Sequence, residues 1–225
     1  MLSFGDDYYA NEKSLGSRLR RRRFALVRDM LGEISRRSSP VRILDIGGTE
    51  LYWRPHLEDI EALNCEVTLV NLIETEAANP RFTSMKGDAT GLPFADNSFD
   101  FVHSNSTIEH VGRWPEMRAM AGEVRRLAPS FYLQVPYFWF PVEPHFRAPF
   151  FHWLPEQVRA RLLMRLGLGY GGRRRETFDE AMTALQSSQL LDVKQLRALF
   201  PDADIRRERF LGFTKSLLAV RYGGA

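Results

Sequence analysis

Apolar residues at Leu19, Leu26, Val27, Met30, Leu31 and Ile34 keep a spacing near 3.6, which predicts a helix over Leu15–Ser35 with the arginines largely on its other side. Pro40 closes that segment, because the residue before a proline is biased out of helical geometry. Val41 to Ile46 is a short apolar run that breaks into two glycines, and Trp53 to Leu63 can be helical. Strand, glycine turn and helix follow in that order. The rhythm recurs. Glu66–Asn71, Phe82–Lys86, Phe99–Ser104 and Ser130–Val135 read as strands, with a helix over Pro115–Leu127 that carries Met117, Met120, Ala121 and Val124 on one face.

Strands alternating with helices argue for an α/β fold, a parallel sheet covered by helices on both faces. Near the end, Asp192–Phe200 predicts a short helix, while Ala203–Phe210 and Thr214–Tyr222 predict two strands around Gly212, an antiparallel hairpin. Residues 137–190 break the pattern. Rich first in aromatics and proline and then in arginine and glycine, they read as an insertion over one end of the sheet. The expected organisation is one domain over 1–225, with a helical cap at 1–40.

With 225 residues, 44% of them hydrophobic, the chain is long enough for one sizeable core. No apolar run approaches the ~20 residues of a membrane span. MLSFGDDYYANEKS is acidic and polar where a signal peptide is basic and then apolar, so the expected compartment is the cytoplasm. One cysteine, Cys65, excludes an internal disulfide and multi-thiolate metal sites, and the five histidines show no HExxH spacing. The sequence thus assigns no metal. Of 31 basic residues 27 are arginine, and five of these fall between Arg18 and Arg23. Such a run could meet phosphates, but its simpler reading is a solvated helix face.

The strongest chemical signal is Leu44-Asp45-Ile46-Gly47-Gly48, a carboxylate and small residues at the end of the first strand, where doubly wound sheets bind ligands. Asn71 ends the second strand, Gly87-Asp88-Ala89 precedes Leu92-Pro93-Phe94, and the fourth strand runs into Ser104-Asn105. In these ordered motifs, over residues 41–136, the chain resembles the class I S-adenosylmethionine-dependent methyltransferases, particularly the broad bacterial group that acts on small molecules or sugars. The resemblance implies a Rossmann-like, doubly wound sheet of seven strands, mostly parallel with an antiparallel C-terminal hairpin strand. It implies S-adenosylmethionine as cofactor: Asp45 near the methionine amino group, Gly47 and Gly48 allowing close backbone approach, and Asn71 facing the ribose. Asp88 and the Ala89 amide then address the adenine, with Ser104 and Asn105 by the methionine end. Thr49 and Leu51 stand where the family has glycines, and Asn71 where it has an acid; Glu74 is an alternative source of that acid.

Methyl transfer needs chiefly an in-line acceptor, and a base only if the acceptor loses a proton. His110 and His145 are the candidate bases. Glu143, Arg147 and His152, within the aromatic stretch, are candidates for binding the acceptor, expected to be a small molecule such as a sugar or secondary-metabolite hydroxyl. An alternative is RNA as the acceptor, with the Arg18–Arg23 run as its grip, but the Asn/Asp-Pro-Pro-aromatic motif of base-amine methylases is replaced by Ser104-Asn105-Ser106-Thr107. Another is a non-catalytic cofactor-binding relative. A nicotinamide-dependent dehydrogenase is disfavoured by the lack of GxGxxG. Either a monomer or a homodimer fits.

Overall fold

The computed structural model describes residues 15–74, 76–169 and 172–223. The N-terminal stretch read above as unlike a signal peptide lies outside them, as do the side chains of Arg18 and Leu19. Helix α1 spans Leu15–Ser35, as its periodicity predicts. Phe24, Val27, Met30 and Leu31 are its buried side chains, and Arg20 joins them at 7% exposure. The arginine run is therefore not a uniformly solvated face: Arg20 lies four residues before Phe24 and seven before Val27, on the same stripe of the helix.

Strand β1 (Val41–Ile46) is followed by α2 (Glu50–Trp53), a 3-10 turn at Arg54–His56 and α3 (Leu57–Ala62). The single helix expected from Trp53 is thus broken, because Pro55 lacks an N–H and its ring obstructs the carbonyl four residues before it. Strands β2 (Cys65–Asn71), β3 (Phe82–Lys86) and β4 (Phe101–Asn105) come next, then α4 (Trp114–Leu127) and β5 (Ser130–Pro136). Helices α5 (Glu156–Arg165), α6 (Phe178–Gln186) and α7 (Val193–Leu199) precede β6 (Asp204–Phe210) and β7 (Phe213–Arg221).

The seven strands run in the order β3-β2-β1-β4-β5-β7-β6. β1 is parallel to both β2 and β4, and β2 to β3. β6 and β7 are the antiparallel hairpin that Gly212 announced. Its two turn residues, Leu211 and Gly212, both have positive φ (47° and 84°), the geometry that matches the right-handed twist of the flanking strands. After β1 the chain adds β2 and β3 on one side and then returns to place β4 on the other, so the order reverses at β1. That reversal leaves a crevice outside the carboxyl ends of β1 and β4, where open α/β sheets bind ligands.

The chain divides into two compact units, Met1–Asn105 with Gly122–Tyr132 and Arg221–Ala225, and Ser106–Ala121 with Leu133–Val220. The first is built on the apolar strands β1, β2 and β4 around the fully buried Trp53. In the second, Phe146, Phe151, Ala160, Leu163, Ala181 and Leu185 make a core of their own. Part of the aromatic insertion is thus a hydrophobic plug, while Trp139, Phe150 and Trp153 remain exposed. Among the described residues no helix is long and apolar enough to cross a membrane.

Candidate functional site

In the first unit, parallel pairing brings the strand ends together. Asp45 is level with Leu69 on β2 and His103 on β4, and Asn71 with Lys86 on β3. Residues just beyond these points therefore share one edge: Gly47 and Gly48 after β1, Asn71 at the end of β2, Asp88 and Ala89 after β3, and Ser104 with Asn105 at the end of β4.

Asp45 is fully buried. Its Oδ2 accepts from the Trp53 indole N–H at 2.7 Å and its Oδ1 pairs with His103 Nδ1 at 2.7 Å. His103 Nε2 lies 3.2 Å from the Tyr52 hydroxyl, and its ring stacks 5.6 Å from that of Tyr132. The carboxylate thus anchors an aromatic-walled network beneath the crevice. Gly47, at φ 78°, donates its N–H to the Val70 carbonyl at 2.8 Å, a turn that favours glycine. Gly48 has a different reason to be glycine: a β-carbon there would stand 1.6 Å from Asp45 Oδ2.

Asn71 spends one amide hydrogen on the Gly48 carbonyl at 2.7 Å, which leaves its Oδ1 as an acceptor. Asp88 is exposed; its Oδ1 accepts from the Thr90 N–H and hydroxyl at 2.9 and 2.7 Å, bonds that hold its carboxyl below the usual carboxylate range. Ala89 is half-buried beside it. Ser104 is fully buried and ties β4 to β1 by donating to the Ile46 carbonyl at 3.0 Å. Asn105 Oδ1 is buried with no hydrogen-bond partner. An orphaned acceptor at this edge fits an ammonium group, and Leu72 and Ile73, 70% and 78% exposed directly after Asn71, offer an apolar face to a purine. These two residues were missed in the sequence, although two apolar residues immediately after a polar strand end were there to be read. Glu74 and Thr49 line an open depression with Glu50 and Arg54. A smaller cavity of about 150 Å³ touches Asp100 and Ser130, at the amino ends of β4 and β5, the end of a parallel sheet that ligands do not use.

In the second unit a cavity of about 250 Å³ is lined by Arg113, Glu143, His152, Glu156 and Arg159 among others. His152 donates from Nε2 to the Phe138 carbonyl at 2.7 Å, which leaves Nδ1 a lone pair, buried and unpartnered. Burial lowers its pKa, which keeps the ring neutral. Arg159 Nε is likewise buried without a partner. Arg147 is exposed and does not line the cavity. His110 bonds the Ser187 carbonyl through Nδ1 at 2.8 Å and meets His145 Nε2 with its own Nε2 at 3.1 Å. His145 Nδ1 bonds the Glu143 carboxylate. Burial lowers the His110 pKa; for His145 burial also pulls downward, but the Glu143 hydrogen bond and charge outweigh it and raise the value. Beside them Glu109 is 1% exposed, and desolvation pushes its carboxyl up to about 7. Within this unit the ligand atoms of Glu109, His110 and His145 all lie within 4.8 Å of one another.

Residues 44–130 match a family model described as a methyltransferase domain. They form a class I, S-adenosylmethionine-dependent methyltransferase domain. The chain is 38% identical over 95 residues to a ubiquinone/menaquinone biosynthesis C-methyltransferase (UbiE) of Dinoroseobacter shibae, a stretch that is 38% of this chain and 38% of that protein. The chain therefore spans well under half of that relative. Among solved structures, the methyltransferase domain of the citrinin polyketide synthase aligns with a TM-score of 0.50 and 11% identity, covering 82% of this chain and 46% of that one. A Methanosarcina mazei S-adenosylmethionine-dependent methyltransferase aligns with a TM-score of 0.45 and 16% identity, over 81% of this chain and 92% of that one. The likeness to the citrinin domain is one of fold. The cofactor of a methyltransferase domain of this class is S-adenosylmethionine.

Proposed function

We propose that the protein transfers a methyl group from S-adenosylmethionine to a hydroxyl of a small molecule such as a sugar or a secondary metabolite. The observation that carries this reading is the set of short polar groups at the ends of β1, β2 and β4, with the buried acceptor Asn105 Oδ1 left without a hydrogen-bond partner among them. Bound there, the cofactor supplies a methyl group already activated on a sulfonium.

What remains for the protein is binding and orientation. Asn105 Oδ1 accepts from the ammonium, Asn71 Oδ1 holds one ribose hydroxyl, and Asp88 accepts from the purine amine over the apolar Leu72 and Ile73. Asp45 does not reach for the ammonium in this reading. Both its oxygens are held by Trp53 and His103, so it works by fixing the turn that carries Gly47 and Gly48.

For the acceptor, the second unit's cavity offers His152 Nδ1 to a hydroxyl hydrogen, with Arg159 Nε to donate to an oxygen. Glu143 lines the same space. A neutral imidazole with an unshared Nδ1 lone pair is a group able to take a proton from a hydroxyl. His110 and His145, the bases expected from sequence, each engage Nδ1 with a neighbouring acceptor and turn Nε2 toward the other ring.

Incubation with methyl-labelled S-adenosylmethionine and a panel of sugar, phenolic and RNA acceptors tests this reading. Label is expected on a small hydroxylated acceptor, with His152→Ala reducing turnover about 10²-fold and leaving cofactor affinity unchanged. Label on RNA alone contradicts it, and cofactor binding without transfer to any acceptor makes the chain a non-catalytic relative.

A further inference from the structure

The two facing histidines of the second unit pose a problem of charge. A carbonyl oxygen only accepts, so the 2.8 Å contact to Ser187 puts the His110 hydrogen on Nδ1. The Glu143 carboxylate accepts in the same way from His145 Nδ1. In their neutral forms both rings therefore present Nε2 as a lone pair, and these two nitrogens stand 3.1 Å apart. Such a pair is held together only by a positive charge between or beside them.

Glu109 adds a third ligand. At 1% exposure, its two carboxylate oxygens are buried and neither has a hydrogen-bond partner. An unpaired buried carboxylate is costly, and the structure brings one of its oxygens within 4.8 Å of a ring nitrogen of each histidine.

We propose that Glu109, His110 and His145 bind one divalent transition-metal ion of the zinc type. Two imidazole nitrogens and one carboxylate suit zinc, whereas magnesium and calcium prefer oxygen ligands alone. Ligand bonds of about 2.0 to 2.2 Å in a tetrahedral site separate the donor atoms by roughly 3.3 Å. The two nitrogens are already near that spacing, and the carboxylate needs to close by on the order of 1 Å.

The surroundings agree. Glu143 takes the outer hydrogen of His145 and is itself held by the Phe146 N–H at 2.7 Å. A carboxylate behind a ligating histidine fixes its tautomer and raises its basicity. The Ser187 carbonyl does the same for His110. Three protein ligands leave a fourth position for water or another oxygen ligand. This site does not depend on the methyl-transfer reading.

Calorimetry on the full chain, dialysed against chelator and then freed of it, tests the site with Zn²⁺ and with Mg²⁺ as control. One Zn²⁺ per chain is expected, with little or no response to Mg²⁺. Glu143→Gln is expected to weaken Zn²⁺ about 10- to 100-fold, and the near-isosteric Glu109→Gln by more, while circular dichroism shows both variants folded. Cobalt(II) is expected to give the visible bands of a tetrahedral site, and these disappear in His145→Ala. Absence of Zn²⁺ binding by the folded parent overturns the proposal and leaves a shared proton between the two imidazoles. So does an affinity unchanged by Glu109→Gln, or Mg²⁺ bound as tightly as Zn²⁺.

Discussion

A β-carbon on Gly48 cannot be accommodated by moving Asp45, because Trp53 and His103 hold both carboxylate oxygens in a fully buried place. Gly48→Ala is accordingly expected to destabilise the protein by about 1 to 3 kcal/mol through overpacking, read as a lower Tm. A variant as stable as its parent would show that the Asp45 network is looser than described. His56 is a second residue whose setting has a measurable consequence. Its ring stacks on Phe24 with centroids 3.5 Å apart, and burial lowers its pKa from 6.5 to about 4. Between those values the unfolded chain binds a proton that the folded protein refuses, so the stability from the neutral ring is full above pH 6.5 and is lost as pH falls toward 4. His56→Phe is expected to flatten that part of the stability curve in chemical denaturation across pH 4 to 7. An unchanged slope would mean the ring titrates alike in both states. Neither setting was legible in the sequence: Asp45 and His103 are 58 residues apart, and nothing local marks them as partners.

Among the elements, the stretch from Leu92 to Asp96 owes its shape to α4. Arg126 donates to the carbonyls of Phe94 and Leu92 and to the carboxylates of Asp96 and Glu123, while Glu123 also accepts from the Leu92 N–H. The stretch that follows Asp88 and Ala89 is thus stapled to a helix about 30 residues further on. Arg126→Met is expected to weaken S-adenosylhomocysteine binding several-fold with the protein still folded, measured by calorimetry. Unchanged affinity would mean the segment keeps its shape without the staple. Hydrophobic periodicity disclosed α1, the strands of the sheet and the closing hairpin to within a residue or two, because burial on one stripe or both faces leaves a pattern that reads locally. It did not disclose the break at Pro55, and it placed the arginines of α1 outside although Arg20 is buried. A side chain of mixed character can lay its stem on apolar surface, which a binary reading of polar and apolar misses.

On the scale of the whole molecule, the ordered motifs from Leu44 to Asn105 were legible because each marks the end of a strand, and parallel pairing carries all of those ends to one edge. The second unit was less legible. Glu109 and His110 are neighbours in sequence, but their approach to His145 depends on the fold of a segment that begins more than 25 residues later, held partly by Gly169, whose φ of 90° lets its N–H reach the Phe146 carbonyl at 3.0 Å. The central claim is that the crevice at the strand ends of the first unit holds S-adenosylmethionine. Calorimetric titration of the full chain with S-adenosylhomocysteine, alongside Asp88→Ala, tests it most directly. One molecule per chain is expected to bind, with the variant weaker by about 1 to 3 kcal/mol; no binding by the folded parent, or equal binding by the variant, would contradict the account.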